Sequence, residues 1–314
     1  MIPLAQLYDR VWPENAGRHY SKTAWGVEAA DFCGFCAERG GRLIGSRACF
    51  RANIFIGSKR ITSVQFGDSC VDNEYRRYGL FSRMNKSFLD CFFRTGNELI
   101  YNISVDASRK AYEKNGWVYI ESISNIYRII HPFSFIFKVK GNIRRLSGNL
   151  IVDDAIIPDV DSVPSHLLEL RESEMVKKEL IHNRYDRDTL KWRLGTDSGI
   201  RLLLEKTGGA VFYKTGKLNC LHCCIIGEMF LENYSYRCFK KTIRALIATG
   251  DYDVISIAIT HAHPLYRFFR RNGFILNPLK PYLNHGVRVE SDKMKEICLD
   301  PKNWALSEID IDTF

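Results

Sequence analysis

Val64–Arg83 reads VQFGDSCVDNEYRRYGLFSR. It begins as a strand of β-branched and aromatic residues, turns through Asp72–Tyr78, and then changes period. Leu80, Met84, Phe88 and Cys91/Phe92 recur every three to four residues, which predicts an amphipathic helix over Leu80–Phe93. A strand that turns into a helix leaves backbone N–H groups unpaired at the positive end of the helix dipole. Such a terminus is an anion site suited to a pyrophosphate. Gly79 lets the backbone approach closely, and Arg76 and Arg77 add charge.

Outward from this stretch the first half reads as helices, hairpins and one more strand–helix unit. Leu4–Val11 and Lys22–Ala30 look helical. Phe35–Arg39 and Leu43–Phe50 form a hairpin across Gly40-Gly41, and Asn53–Ile56 and Ile61–Val71 form another across Gly57-Ser58. Leu99–Val105 reads as a strand. Ser108–Asn115 reads as a short helix closed by Gly116, and Trp117–Ile130 as a strand. Residues 131–165 read as a connection carrying Pro132, Pro158, Pro164, the basic patch Lys138–Arg145 and Asp153/Asp154.

From Ser165 the order restarts. A helix over His166–His182 precedes strands at Ile200–Lys206, Gly209–Lys214 and Lys217–Ile226. Then come a helix over Tyr236–Thr249, a strand over Asp253–Thr260 and a short helix over Pro264–Asn272. The block Ala111–Trp117 aligns with Phe268–Phe274 at an offset of 157 throughout, and Ser21–Trp25 echoes Asp188–Trp192 at 167. With the element order, these matches argue for a tandem duplication. The expected organisation is a domain over 1–135, a linker over 136–164 and a second domain over 165–314.

The segments Val71-Asp72-Asn73-Glu74-Tyr75-Arg76, Arg76 to Phe81, and Tyr112-Glu113-Lys114-Asn115-Gly116-Trp117 together resemble the GNAT (GCN5-related) family of acyl-CoA-dependent N-acyltransferases. The resemblance is close over roughly residues 40–130. Asn73 and Phe81 depart from it, standing where proline and a small residue are usual. It implies an α/β fold of two GNAT-like units, each a mixed, mostly antiparallel sheet flanked by helices. It implies acetyl-CoA or another acyl-CoA as co-substrate, held at Ser69, Cys70 and Val71 and at the N–H groups of Arg77, Tyr78, Gly79, Leu80, Phe81 and Ser82. Arg76 opens this loop, and Asn102 matches a position that touches the cofactor or orders a water. It implies that Tyr112 protonates the leaving thiolate, as suits a phenol of pKa about 10. Asp68, beside Gly67, is the candidate general base and Asp106 the second. In the second half Phe269 replaces Tyr112, and Ile226–Arg237 lacks the Arg-x-x-Gly while carrying Glu228 and Glu232. That half is expected to be structural, a degenerate copy.

The acceptor is expected to be a primary amine of a small molecule, such as an amino sugar. An aminoacyl-tRNA-dependent peptidoglycan aminoacyltransferase and a non-catalytic acyl-CoA-binding module are the alternative readings. The retained phosphate loop and the lack of a long helical arm speak against nucleic acid.

Composition sets the outer bounds. In 314 residues, 46% are hydrophobic and 26% charged, which excludes disorder and coiled coil as the main theme. No stretch reaches the ~20 apolar residues of a membrane span. Ile126–Val139 comes nearest and is broken by Arg128, His131, Pro132 and Lys138. The expectation is a cytoplasmic protein with no membrane partner; a homodimer is left open. Residues 1–157 hold 22 Lys+Arg against 15 Asp+Glu, or +7, and the rest 23 against 21, or +2, so an anionic ligand favours the first half. The pairs Cys33/Cys36 and Cys220/Cys223 lie in segments read as strands, where i and i+3 face opposite ways, and His261/His263 read as turn residues. No metal is expected.

Overall fold

The computed structural model describes residues 2–13, 32–140, 150–153, 156–194, 199–206 and 208–311. In chain order the first elements are α1 (Ile2–Val11), β1 (Phe32–Arg39), β2 (Arg42–Ala52), β3 (Ile54–Ile56), β4 (Lys59–Arg60) and β5 (Ser63–Val71). Next come α2 (Leu80–Arg94), β6 (Leu99–Ser104), α3 (Asp106–Glu113), β7 (Val118–Ile120), β8 (Ile123–Ile129), α4 (Pro132–Val139) and β9 (Ile151–Val152). They are followed by α5 (Ser165–Lys177), β10 (Ile181–Asn183), α6 (Arg187–Leu194), β11 (Ile200–Glu205), β12 (Gly209–Leu218), β13 (Leu221–Leu231) and α7 (Tyr236–Ile247). The last are β14 (Val254–Thr260), α8 (Tyr266–Arg271), β15 (Ile275–Leu276), β16 (Asn284–Arg288) and α9 (Asp292–Cys298). The helix read at Lys22–Ala30 and the echo at Ser21–Trp25 lie outside the described residues.

Two mixed sheets carry the fold, each flanked by helices. The first runs β1-β2-β5-β6-β16-β7, the second β11-β12-β13-β14-β8-β15 with β9 beside β12. Each has a single parallel pair, β5/β6 and β13/β14, among antiparallel neighbours. The pattern follows from the sequence. Gly40 and Gly41, both at positive φ, supply the tight turn that sets Arg39 opposite Arg42. The apolar stripe of α2 buries Met84, Phe88, Leu89 and Phe92, packing with Cys49, Val64, Phe66 and Ile100 of the sheet. On the opposite face, α1 buries Leu4, Leu7, Tyr8 and Val11 beside Cys70. In the second sheet α7 packs Phe239, Ile243 and Leu246 on Ile226, Ile255, Ile257 and Ile259. Leu167, Leu168, Leu190 and Leu194 of α5 and α6 cover Ala210, Phe212 and Phe230.

The chain divides into two compact units that are not the contiguous stretches 1–135 and 165–314. One comprises Met1–Ile54, Arg60–Ile120 and Asn284–Asp300; the other Phe55–Lys59, Glu121–Leu283 and Pro301–Phe314. The expected strand Trp117–Ile130 breaks at Glu121-Ser122. β7 stays in the first sheet, whereas β8 joins the second and pairs along its whole length with β14, from Ile123↔Thr260 to Ile129↔Val254. β16 returns to the first sheet and pairs with β6 on one side and β7 on the other. Periodicity predicts a strand but not its ladder partner, which is why contiguity misled.

Three smaller expectations also change. Residues 131–165 are not a bare connection, because Pro132 starts α4 in the first turn, where its missing N–H costs nothing. The β12/β13 hairpin turns at Asn219-Cys220, with Asn219 at φ +55, so Cys220 lies in a turn and not in a strand. Ile181–Asn183 is a strand and not the end of the preceding helix. Among the described residues no helix is long and apolar enough to cross a membrane, and no group of three His, Cys, Asp or Glu could hold a metal ion.

Candidate functional site in the gap between the parallel strands

β5 and β6 pair from Ser63↔Leu99 to Phe66↔Asn102 and then part. Beyond Phe66, β5 keeps its ladder with β2 up to Val71↔Gly45, and β6 keeps its ladder with β16 up to Ser104↔Asn284. Each strand thus has a partner on its outer edge while the facing edges separate. A bulge lies at the fork. Ala48 pairs with Gly67 and Ser46 with Cys70, so Arg47 alone opposes Asp68 and Ser69. Asp68 takes φ +45, a left-handed conformation costly for a residue with a Cβ.

The bulge sorts its side chains. Asp68 acts electrostatically on Tyr8 and Cys70, on the α1 side. Burial, followed by this carboxylate, pushes the Tyr8 phenol up and the Cys70 thiol up to about 12. Ser69 turns to the α2 side, where its hydroxyl accepts from Arg47 and donates to the Gly67 carbonyl at 3.1 Å.

Arg47, which carried no signal in the sequence reading, is fully buried. Its guanidinium lies 3.3 Å from the Phe66 ring centroid, 5.2 Å from that of Tyr112 and 5.6 Å from that of Phe81. Burial pulls its pKa below the usual guanidinium value, and contact with the Tyr112 hydroxyl works the other way. Its Nε and Nη2 have no partner among the described residues. The same holds for the Oδ1 of buried Asn102 on β6 and for both amide atoms of buried Asn85 on α2. An unpartnered buried polar atom costs about 1–3 kcal/mol, more when charged, so such atoms beside a gap mark where a polar ligand can enter.

Tyr112 is buried in an aromatic cluster, edge-on to Phe81 at 5.6 Å and to Trp117 at 4.9 Å. Phe81 therefore turns its ring inward. Asn102 depends on the returning strand: a Cβ on Gly286 of β16 would sit 2.5 Å from its Oδ1. Asp106, the second candidate base, starts α3 and accepts from Asn284.

The loop ahead of α2 is held from below. Asp72 accepts from Arg10 at 3.0 Å, from Arg42 at 2.9 Å and from the Glu74 N–H. Burial alone would raise its pKa, but the two arginines outweigh burial and keep it below the usual carboxylate range. Arg76 folds back to donate to the Val71 carbonyl. Arg77 and Gly79 both take φ +71, and nothing lies within 4 Å of a Cβ built on Gly79. α2 begins with no side-chain cap, and Arg77, Tyr78, Gly79 and Ser82 are exposed. The result is an open, uncapped helix start with basic side chains around it.

The second unit repeats the frame and closes it. β13 and β14 pair from Cys223↔Val254 to Ile225↔Ser256 and then part in the same way. The aromatic cluster recurs as Phe239, Phe269 and Phe274, with both ring pairs edge-on at 4.9 Å. Here residues 304–308 fill the gap. Thr260 N–H donates to the Leu306 carbonyl, and Ala258 N–H donates to the Glu308 carboxylate at 2.6 Å. Ser235 caps α7 by accepting from Cys238 N–H.

Glu228 and Glu232 are both engaged by partners in the second unit. Glu228 is buried against Arg171 at 3.1 Å, His263 and Ser307, and Glu232 pairs with His166. His261 hydrogen-bonds Ser124.

Residues 5–120 match the family described as acetyltransferase (GNAT) domain. No curated protein matches the chain. Among solved structures, a GCN5-related N-acetyltransferase from Anabaena variabilis is 12% identical with a TM-score of 0.63, over 91% of this chain and 69% of that one. One from Kribbella flavida is 13% identical with a TM-score of 0.60, over 92% and 69%. A probable N-acyltransferase from Enterococcus faecalis is 11% identical with a TM-score of 0.57, over 91% and 70%. At these identities the likeness is one of fold, and it extends over both units.

Proposed function

We propose that this chain, whose residues 5–120 match the acetyltransferase (GNAT) domain, moves an acyl group, most simply acetyl, from acyl-CoA to a primary amine of a small molecule, an amino sugar being one candidate. The observation that carries this reading is the contrast between the two gaps. The β5/β6 gap is bordered by unpartnered buried atoms of Arg47 and Asn102, whereas the β13/β14 gap is filled by residues 304–308.

The residues present fit the co-substrate. The N–H groups from Arg77 to Ser82 suit a pyrophosphate, since α2 starts uncapped and Gly79 is open above. The backbone of Ser69–Val71 faces the gap with no β6 partner and can pair with the amide arm. Acyl-CoA supplies the activated thioester. Asp68, on the α1 side, takes a proton from the incoming amine directly or through water. As the C–N bond forms and the C–S bond breaks, Tyr112, on the α2 side, gives a proton to the leaving sulfur. The acid and the base thus approach the reacting carbon from opposite faces of β5. Arg47, beside Tyr112, stabilises the negative charge that develops there.

The test is calorimetric titration with CoA and acetyl-CoA, paired with release of free thiol across a panel of primary amines. Micromolar binding and amine-dependent thiol release support the reading. Binding without release on any amine leaves an acyl-CoA-binding module, and no binding overturns the assignment of the gap.

A further inference from the structure

Arg47 is fully buried on β2, and among the described residues no carboxylate pairs with it. The groups that offset its burial are Tyr112, Cys49 and Tyr119, whose hydroxyls and thiol are ordinarily neutral. Taking a charge out of water with no opposite charge beside it is costly. Steadying a charge that develops only during reaction leaves that cost standing through the rest of the cycle. An anion that arrives with the substrate removes it for as long as the substrate is bound.

The two nitrogens left over say which anion. Nη1 is engaged by the Ser69 hydroxyl, whereas Nε and Nη2 are buried without a partner among the described residues. Nε and Nη2 lie along one edge of the guanidinium and donate in parallel, the arrangement that the two oxygens of one carboxylate accept. Phe66 fixes the plane of that fork, because the guanidinium carbon lies 3.3 Å from its ring centroid and the N–H bonds run past the ring. Asn85 adds a further donor. It lies one helical turn after Phe81 on the same side of α2, and both its amide atoms are buried without a partner among the described residues. Position selects what carries the carboxylate. In the proposed reading the backbone of Ser69–Val71 takes the amide arm of the co-substrate. Back along β5, past the bulge, the next residue on the α2 side is Phe66, on which Arg47 lies. A group extending beyond the thioester meets Arg47 there, while the amine enters on the other face, at Asp68.

We propose that the acyl group this protein transfers ends in a carboxylate, as in the thioester of a short dicarboxylic acid, and that Arg47 selects it through Nε and Nη2. The inference rests on the acyl-transfer reading above and replaces acetyl as its simplest acyl group. The amine nitrogen bonds to the thioester carbon as the C–S bond breaks. The amine's proton goes to Asp68, and the sulfur leaves as a thiol with the proton of Tyr112. The distal carboxylate is unchanged and passes into the product amide.

The test is calorimetric titration of the full chain with acetyl-CoA and with succinyl-CoA and butyryl-CoA, which match in chain length and differ in charge. The wild type is expected to hold succinyl-CoA about ten- to a hundredfold tighter than butyryl-CoA, the difference made by a charge-assisted pair. This comparison needs no variant. In Arg47→Met the two should bind alike, and Arg47→Lys, which keeps the charge without the fork, should recover part of the preference. Equal binding of succinyl-CoA and butyryl-CoA by the wild type overturns the proposal and leaves the acyl-transfer reading in place, whereas binding of none of the three overturns both. A preference for succinyl-CoA that survives in Arg47→Met overturns the proposal too, because another group would then hold the carboxylate. So does a chain that binds all three alike and releases thiol only with amines that carry a carboxylate, since the anion would then come with the acceptor.

Discussion

Tyr112 and Arg47 illustrate what a residue type announces and what only its surroundings reveal. Tyr112 was legible because it stands in a motif, Tyr-Glu-Lys-Asn-Gly-Trp. Arg47 was not, since a lone arginine in a hairpin strand reads as a solvated face until the bulge opposite it is known. Its counterpart region in the second unit, opposite the β13 bulge, holds Phe212 and Tyr213, so no arginine stands at that place on the strand. Tyr112→Phe should cut turnover by roughly a hundred- to ten-thousand-fold, the range of a lost general acid, while leaving acyl-CoA affinity and the melting temperature close to wild type. Phe269 shows that a phenylalanine fits the same edge-on aromatic setting. Unchanged turnover in steady-state kinetics would remove the acid role. Arg47→Met should act oppositely on two readouts. Replacing this desolvated charge by an apolar side chain of similar length should leave the melting temperature unchanged or raised, yet acyl transfer should fall because the charge beside Tyr112 is gone. A variant that is both less stable and fully active would contradict this.

Among the elements, those with a strong local period were read nearly to the residue: α2, β6, α3, α7 and β14 all fall within about two residues of expectation, the usual spread at element ends. What failed was partner choice and the reading of prolines. In sequence Pro132 looks like a breaker, although it sits where a helix accepts it, and Trp117–Ile130 looks like one strand because β7 and β8 share a β-rich composition. The loop before α2 carries a further prediction. Gly79→Glu requires a side chain at φ +71 and sets a carboxylate at the uncapped helix start, so calorimetry should show loss of CoA binding. Unchanged affinity would sink the pyrophosphate assignment. In the second unit, the segment filling the gap carries a pH signature. Burial pushes Glu308 up to about 7, with the Ala258 N–H and Lys214 opposing it. The folded value lies above the unfolded one of about 4.3. This group's contribution is therefore complete below about pH 4 and is lost as pH rises through 7. Glu308→Gln keeps an acceptor for Ala258 without the charge. Its melting temperature relative to wild type should rise steadily between pH 5 and 8, and a pH-independent difference would refute the argument.

At the scale of the whole molecule, the two units repeat one frame, but the offset of 157 is no guide to where to cut. The two units share a frame, but each borrows a strand from across the sequence midpoint: β8 completes the second sheet and β16 the first. Ladder partners separated by some 180 residues, such as Asn102 and Gly286, leave no local trace, because a strand's composition reports that it is buried and not what it lies beside. The exchange reaches the candidate site, since Gly286 is the surface on which the Asn102 amide rests. A fragment of residues 1–135, the domain a sequence reading would clone, therefore lacks the strand between β6 and β7. It leaves the outer edge of β6 open, an unpaired edge of the kind that templates aggregation, and carries β8 with no β14 to pair with. Such a fragment is expected to be insoluble or to lack cooperative unfolding, while the full chain melts cooperatively. Adding a peptide of residues 284–300 should restore solubility in part by refilling the edge of β6, whereas a peptide with Gly286→Val should not, because its side chain would overlap Asn102 and Tyr119. A fragment that folds alone and binds CoA with the affinity of the full chain would show that β16 is dispensable to the site.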